Sequence, residues 1–140
     1  MTAVTLEATI TPAPRDRWWS CYTADPTAVP SQSPAWMDAM EATGGWRDVS
    51  SLHRFSDGTE LVLPLVRRTG PGRFGLRASM PDAWGYGGLV GPSIEAGHIR
   101  GVLEHLRTVR AGWVRIRPTP QHAEAWEAGA ALTDPSGRLA

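Results

Sequence analysis

Apolar and polar residues alternate loosely over residues 4–10, the two-residue period of a strand, and Pro12 and Pro14 end the run. Residues 1–14 are thus read as an edge strand or a loose terminus. Asp16 is placed to cap a short helix carrying Trp18, Trp19 and Tyr22, which the turn formers of ADPTAVPSQSP cut off. Ser33 and Pro34 open a second helix, because serine is a good N-cap and proline at the first helical position loses no hydrogen bond. Trp36, Met37 and Met40 put apolar groups on one side of it, and Gly44 and Gly45 stop it. Residues 49–55 and 60–66 then pair as a hairpin around Ser56-Asp57-Gly58. The return strand LVLPLV predicts burial on both faces, while its Pro64 asks for an edge position or a bulge. Residues 67–73 read as a turn and 74–78 as a short strand.

The segment SMPDAWGYGGLVGPS, with four glycines and two prolines, is incompatible with a regular helix and reads as a shaped loop feeding a short strand at 88–90. Residues 94–111 form the main helix, with Ile99, Val102, Leu103 and Leu106 at its period and Gly112 at its end. Residues 113–117 alternate as a strand stopped by Pro118, and Thr119 or Pro120 opens a last helix through Trp126. Residues 131–140 read as a disordered tail. The expected fold class is α/β, in the looser α+β sense: a mixed sheet flanked by helices in a single domain over residues 1–140.

Composition narrows the function classes. The 140 residues suffice for a core without staples, and seven tryptophans need packed surface or ligand. Acidic and basic residues number 14 each, which argues against general nucleic-acid binding and leaves little colloidal repulsion to oppose self-association. Every such base is arginine, so Schiff-base chemistry on lysine is excluded. With Cys21 alone, no internal disulfide forms. No apolar stretch is long enough for a membrane span, and MTAVTLEATITPAPR lacks the pattern of a signal peptide, so a cytoplasmic location is expected.

Candidate chemistry is sparse. His53, His98, His105 and His122 show no metal-ligand spacing, no G-x-S-x-G elbow is present, and Cys21 in its apolar stretch reads as structural, so no metal is expected and no catalytic residue is assigned. Trp84 and Tyr86, set among Gly85, Gly87 and Gly88, either line a groove or plug the core. Arg115 and Arg117 share one face of a strand and suit a carboxylate or phosphate, or plain surface salt bridges. Trp36 reads as core.

Gln32-Ser33-Pro34-Ala35-Trp36, then Leu61-Val62-Leu63-Pro64-Leu65-Val66, then Trp84-Gly85-Tyr86-Gly87-Gly88 together resemble the amino-terminal half of FemAB-like transferases over roughly residues 15 to 130. These are tandem GNAT-fold proteins that include the aminoacyltransferases of peptidoglycan interpeptide bridges. The resemblance implies a single GNAT-like lobe of a normally tandem fold, which shapes the acceptor groove while a second lobe carries the acyl-coenzyme A or aminoacyl-tRNA donor. Gln32, Trp36, Trp84 and Tyr86 become groove-forming or groove-supporting positions, with Arg115 and Arg117 nearby. No counterpart of the second lobe is seen in the chain. The implied partner is such a lobe or another copy of this chain, and the implied acceptor a small molecule or cell-wall precursor.

Arg67, Gly70 and Gly72 form an R-x-x-G-x-G string, which in GNAT-type transferases wraps a pyrophosphate, but Pro71 removes one of the N–H groups it needs and a hairpin turn is the plainer reading. Three functions stay open: an acceptor-side lobe inactive alone and without its own cofactor, a non-enzymatic binding or assembly domain, and a small stand-alone acetyl-coenzyme A-dependent N-acetyltransferase.

Overall fold

The computed structural model of the protein describes residues 3–69, 76–78, 85–108 and 113–133. Strand β1 (Leu6–Ile10) leads into helices α1 (Arg15–Ala24) and α2 (Pro34–Ala42). Strands β2 (Trp46–Asp48), β3 (Ser51–Phe55), β4 (Glu60–Leu63), β5 (Val66–Arg68) and β6 (Leu76–Ala78) follow, then helix α3 (Ala96–Thr108), strand β7 (Trp113–Arg115) and helix α4 (Ala123–Thr133). The architecture is mixed α/β. One sheet has the order β1-β3-β4 and the other β2-β5-β6-β7, antiparallel throughout except for the parallel pair β6–β7.

The two sheets share one long hairpin. A single register runs from Trp46 opposite Arg68 to Arg54 opposite Glu60. Val62 exchanges both backbone bonds with Val90, so its N–H points away from β3. Pro64, two residues on, stands on that same outward side, where a missing N–H costs the hairpin nothing. No bulge is needed there, and the ladder is interrupted because the buried Ser50 hydroxyl takes the Leu65 N–H at 3.0 Å.

Burial of the return strand on both faces follows the expected alternation. Leu61, Leu63 and Leu65 enter a core with Ile99 and Val102 of α3 and Trp126 of α4. Val62 and Val66 enter a second core with Trp18 and Cys21 of α1 and Met37 and Met40 of α2. One helix pair therefore covers each face. On one side, α3 and α4 approach closely at Gly129, where an added Cβ would lie 2.5 Å from Ile99 Cγ2.

Several expected boundaries move. Asp16 does not cap α1; it lies in the first turn, with Pro14 as the N-cap residue. Arg67 and Arg68 belong to strand β5 rather than to a turn. Strand β7 ends at Arg115 rather than at 117, and Pro118 beyond it makes an isolated bridge with Gly87, whose N–H bonds Arg117 O at 2.7 Å. Residues 131–133 continue α4 instead of trailing as tail, and 134–140 lie outside the described residues. Ser33 caps α2 as expected, accepting the Trp36 N–H at 3.2 Å. β1 is the edge strand expected near the start of the chain. Among the described residues, no helix is long and apolar enough to cross a membrane.

Candidate functional site

The loop 85–91 is tied down from both sides of the sequence. A 3-10 turn at Pro30–Gln32 precedes α2 and lies against it. Gln32 is 2% exposed, its amide donates to Gly87 O at 2.9 Å, and its Oε1 accepts the Val29 N–H at 3.0 Å. The Ser31 hydroxyl donates to Tyr86 O at 2.5 Å. Trp18 Nε1 donates to Gln32 O at 2.8 Å, so α1 holds the turn that holds the loop. Because buried amide and carbonyl groups are costly to leave unpaired, this mesh fixes the loop backbone.

Two glycines of this loop adopt a left-handed backbone conformation. Gly85 has φ +111° and its missing Cβ would stand 2.8 Å from Ser31 Cβ. Gly88 has φ +86° and would meet Pro118 Cα at 3.1 Å. A second network closes the far end: the Gly91 N–H reaches Asp25 Oδ2 at 3.2 Å, and Thr27 Oγ1 bridges Asp25 Oδ1 and His122 Nε2, each at 2.7 Å.

The fixed backbone presents Tyr86 at 40% exposure, with the Arg117 guanidinium over its ring at 5.4 Å from the centroid. A cation above an aromatic face is an ordered, partly desolvated donor fork. Arg115 is also exposed, at the end of β7. The structure thus brings Gln32, Tyr86 and Arg117 into one connected unit, with Gln32 supporting it from below. Trp36 sits half-buried against the core of α1 and α2. Trp84, Gly70 and Gly72 lie outside the described residues. Arg67 sits inside β5, and the next described element, β6, pairs with it antiparallel.

The remaining chemistry is structural. Burial pushes the Cys21 thiol up to about 11, which removes it as a nucleophile near neutral pH. Burial, with His105 opposite, holds His53 neutral by lowering it to about 3, and its ring lies between Thr9 Oγ1 at 3.1 Å and Ser51 Oγ at 2.7 Å. His98 Nδ1 accepts the Glu95 N–H at 3.1 Å, so Nε2 carries the proton and donates to Asp57 Oδ2 at 2.9 Å. Among the described residues, no three His, Cys, Asp or Glu side chains converge as a metal site. Ser31, Asp25, Thr27 and His122 were not legible as site-shaping residues, since each takes its meaning from a partner more than 50 positions away.

Comparison with protein-family models, with curated proteins and with solved structures finds no match for this chain.

Proposed function

We propose that the chain is the acceptor-side lobe of a FemAB-like N-acyl or aminoacyl transferase and does not catalyse transfer alone. The observation that supports this reading is the hydrogen-bonded mesh between two of the sequence blocks behind the resemblance. Gln32 and Ser31 hold Gly87 and Tyr86 while leaving the Tyr86 ring and Arg117 at the surface. An aromatic face with a guanidinium above it suits an acceptor that carries an amine on an anionic peptide or small-molecule frame. The arrangement orients such a ligand, and the two buried groups Cys21 and His53 are held in forms that do not serve as nucleophile or acid near neutral pH.

Glu95 immediately precedes α3 and places a carboxylate where stand-alone acetyl transfer would need a helix N-terminus open to pyrophosphate, which counts against that alternative. A pure binding or assembly role has one observation in its favour, the 41% exposed Trp19 set edge-on to Tyr22 on α1.

The test has two arms. An amine-bearing muramyl peptide should quench tryptophan fluorescence on binding, and Tyr86→Ala should abolish the change. The purified chain should release no thiol from acetyl-coenzyme A with that peptide. Failure of the peptide to bind removes the acceptor reading, and turnover by a homodimer removes the claim that the lobe is inactive alone.

A further inference from the structure

We infer that the cleft beside helix α1, lined by Arg17, Arg54 and Glu60 and by Glu7 of β1, binds a small amino-acid zwitterion. The cleft holds about 380 Å³, within the size range of small-ligand sites. It lies on a face of the first sheet that α1 covers only in part. The register sets Ala8 opposite Arg54 and Arg54 opposite Glu60, so the three form one row across β1, β3 and β4. Directly opposed positions share a sheet face. Further along that face, Leu52 and Val62 are buried with Trp18 and Cys21 of α1. Over β1 the cover stops: Ala8 is exposed, and Ile10, opposite Leu52, is 42% exposed.

The chain builds two poles in this cleft. β1 shifts register between Leu6, which pairs with Phe55, and Ala8, which pairs with Arg54. Leu6 packs into the core under α3, whereas the extra residue Glu7 and its neighbour Ala8 both line the cleft. A bulge re-aims side chains in this manner. No ion pair or hydrogen bond engages the Glu7 side chain among the described residues. At the other pole, Glu60 Oε2 accepts a bond from Arg17 and lies 3.3 Å from Arg54 Nε. One carboxylate oxygen thus holds two guanidiniums together and neutralises one of their two charges. Each guanidinium spends a single nitrogen there, and no other bond of either side chain is made among the described residues. Both keep N–H groups for a second acceptor, already held in place.

The charges select the ligand. Among the described residues, two guanidiniums and two carboxylates line the cleft, so a bare anion meets Glu7 and a bare amine meets the arginines. A molecule with both a carboxylate and an ammonium answers both poles: the guanidiniums take its carboxylate, and Glu7 takes its ammonium. The aromatic residue of the lining, Phe55, is 2% exposed and packs into the opposite core, so it offers no face on which a nucleobase could stack. Ala8 and Gly58 keep the mouth open, and a Cβ added at Gly58 would meet nothing within 4 Å. The cleft shares no residue with the Tyr86–Arg117 surface and does not rest on the acceptor-lobe reading.

Backbone amide shifts are followed by NMR at low salt while L-alanine, propionate or ethylamine is added. L-alanine should move the amides of Ala8, Arg54 and Gly58 to saturation. Propionate and ethylamine, each lacking one charge, should bind at least about tenfold more weakly. Glu7→Gln should bring L-alanine down to the affinity of propionate while propionate binds no more weakly than before. Arg54→Gln should weaken L-alanine about tenfold, and Glu127→Gln on α4 should leave it unchanged. Ala8→Tyr fills the cleft from an exposed strand position, so it should abolish binding with no fall in melting temperature, and lost binding is then not lost folding. A titration with γ-aminobutyrate reads the spacing of the two poles: tighter binding than L-alanine assigns a longer amino acid, and weaker binding an α-amino acid. Absence of saturable shifts at those three amides with both amino acids, propionate binding as tightly as L-alanine, or L-alanine binding that Glu7→Gln or Arg54→Gln retains in full each overturns the inference.

Discussion

Gln32 shows how one side chain carries a local structure. Its amide satisfies Gly87 O in a place water does not reach, and its carbonyl satisfies the part-buried Val29 N–H. Replacing it with leucine preserves bulk but strands both backbone groups. Gln32→Leu should therefore lower unfolding stability by about 1–3 kcal/mol, read from the urea midpoint. The same change should speed amide exchange at Val29 and at Gly91, whose N–H belongs to the neighbouring Asp25 network. Unchanged exchange with an unchanged midpoint would mean that the turn and the loop stand without this bond. The residue was legible as special from its place before Ser-Pro-x-Trp, but its role was not: sequence marks a polar residue among turn formers, and only the fold puts it under a glycine loop 55 positions away. Cys21 was legible in full, because a lone cysteine in an aromatic stretch is usually a buried hydrophobe, and here it is buried on α1.

At the scale of elements, local chemistry and periodicity explain what could be read and where reading stopped. Ser33-Pro34 opened α2 because capping is decided within a few residues. The unbroken apolar run from Leu61 to Val66 foretold burial on both faces, and the two cores divide its leucines from its valines. The isolated bridge at Pro118, beyond the end of β7 at Arg115, was not legible because it is set by the distant Gly87. Helix boundaries drifted where no cap is spelled out, as at Pro14 and Asp16. The packing of α3 on α4 was not legible at all, since Gly129 reads as a helix-weakening residue until Ile99 is seen against it. Alanine at a helical glycine ordinarily gains about 1 kcal/mol of propensity. Here its Cβ would stand 2.5 Å from Ile99 Cγ2 and 3.1 Å from Ala96 O, atoms of a stiff β-branched side chain and a backbone. Gly129→Ala should thus destabilise by about 1–3 kcal/mol despite the better propensity. A urea midpoint equal to or above that of the parent would show that the two helices separate at no cost.

Over the whole molecule, acid should act first through His53. This residue sits on β3, the central strand of the first sheet, with its ring toward α3 and His105 at 5.8 Å between centroids. Burial is the larger cause and the His105 ring the smaller, and together they lower it to about 3 from the ordinary 6.5. Above pH 6.5 neither the folded nor the unfolded chain holds a proton there, so the group contributes no pH dependence. Below that value the unfolded chain takes up a proton that the folded chain refuses, until the pH reaches about 3. Across that window stability should fall by about 1.4 kcal/mol per pH unit from this group alone. Asp57 joins at the acid end. The Thr59 N–H, and next the His98 ring, lower it to about 2 from 3.8, so its contribution is present above 3.8 and is lost as the pH falls toward 2. Both groups work in the same direction, and both join elements far apart in the chain, β1 to β3 at His53 and the β3–β4 turn to α3 at Asp57. Unfolding stability from urea titrations should therefore decline steadily from pH 6.5 to pH 4, with the ring protons of His53 showing no titration by NMR over that range. A His53 resonance that titrates near 6 in the folded protein would place water beside the ring and remove the steepest part of the decline.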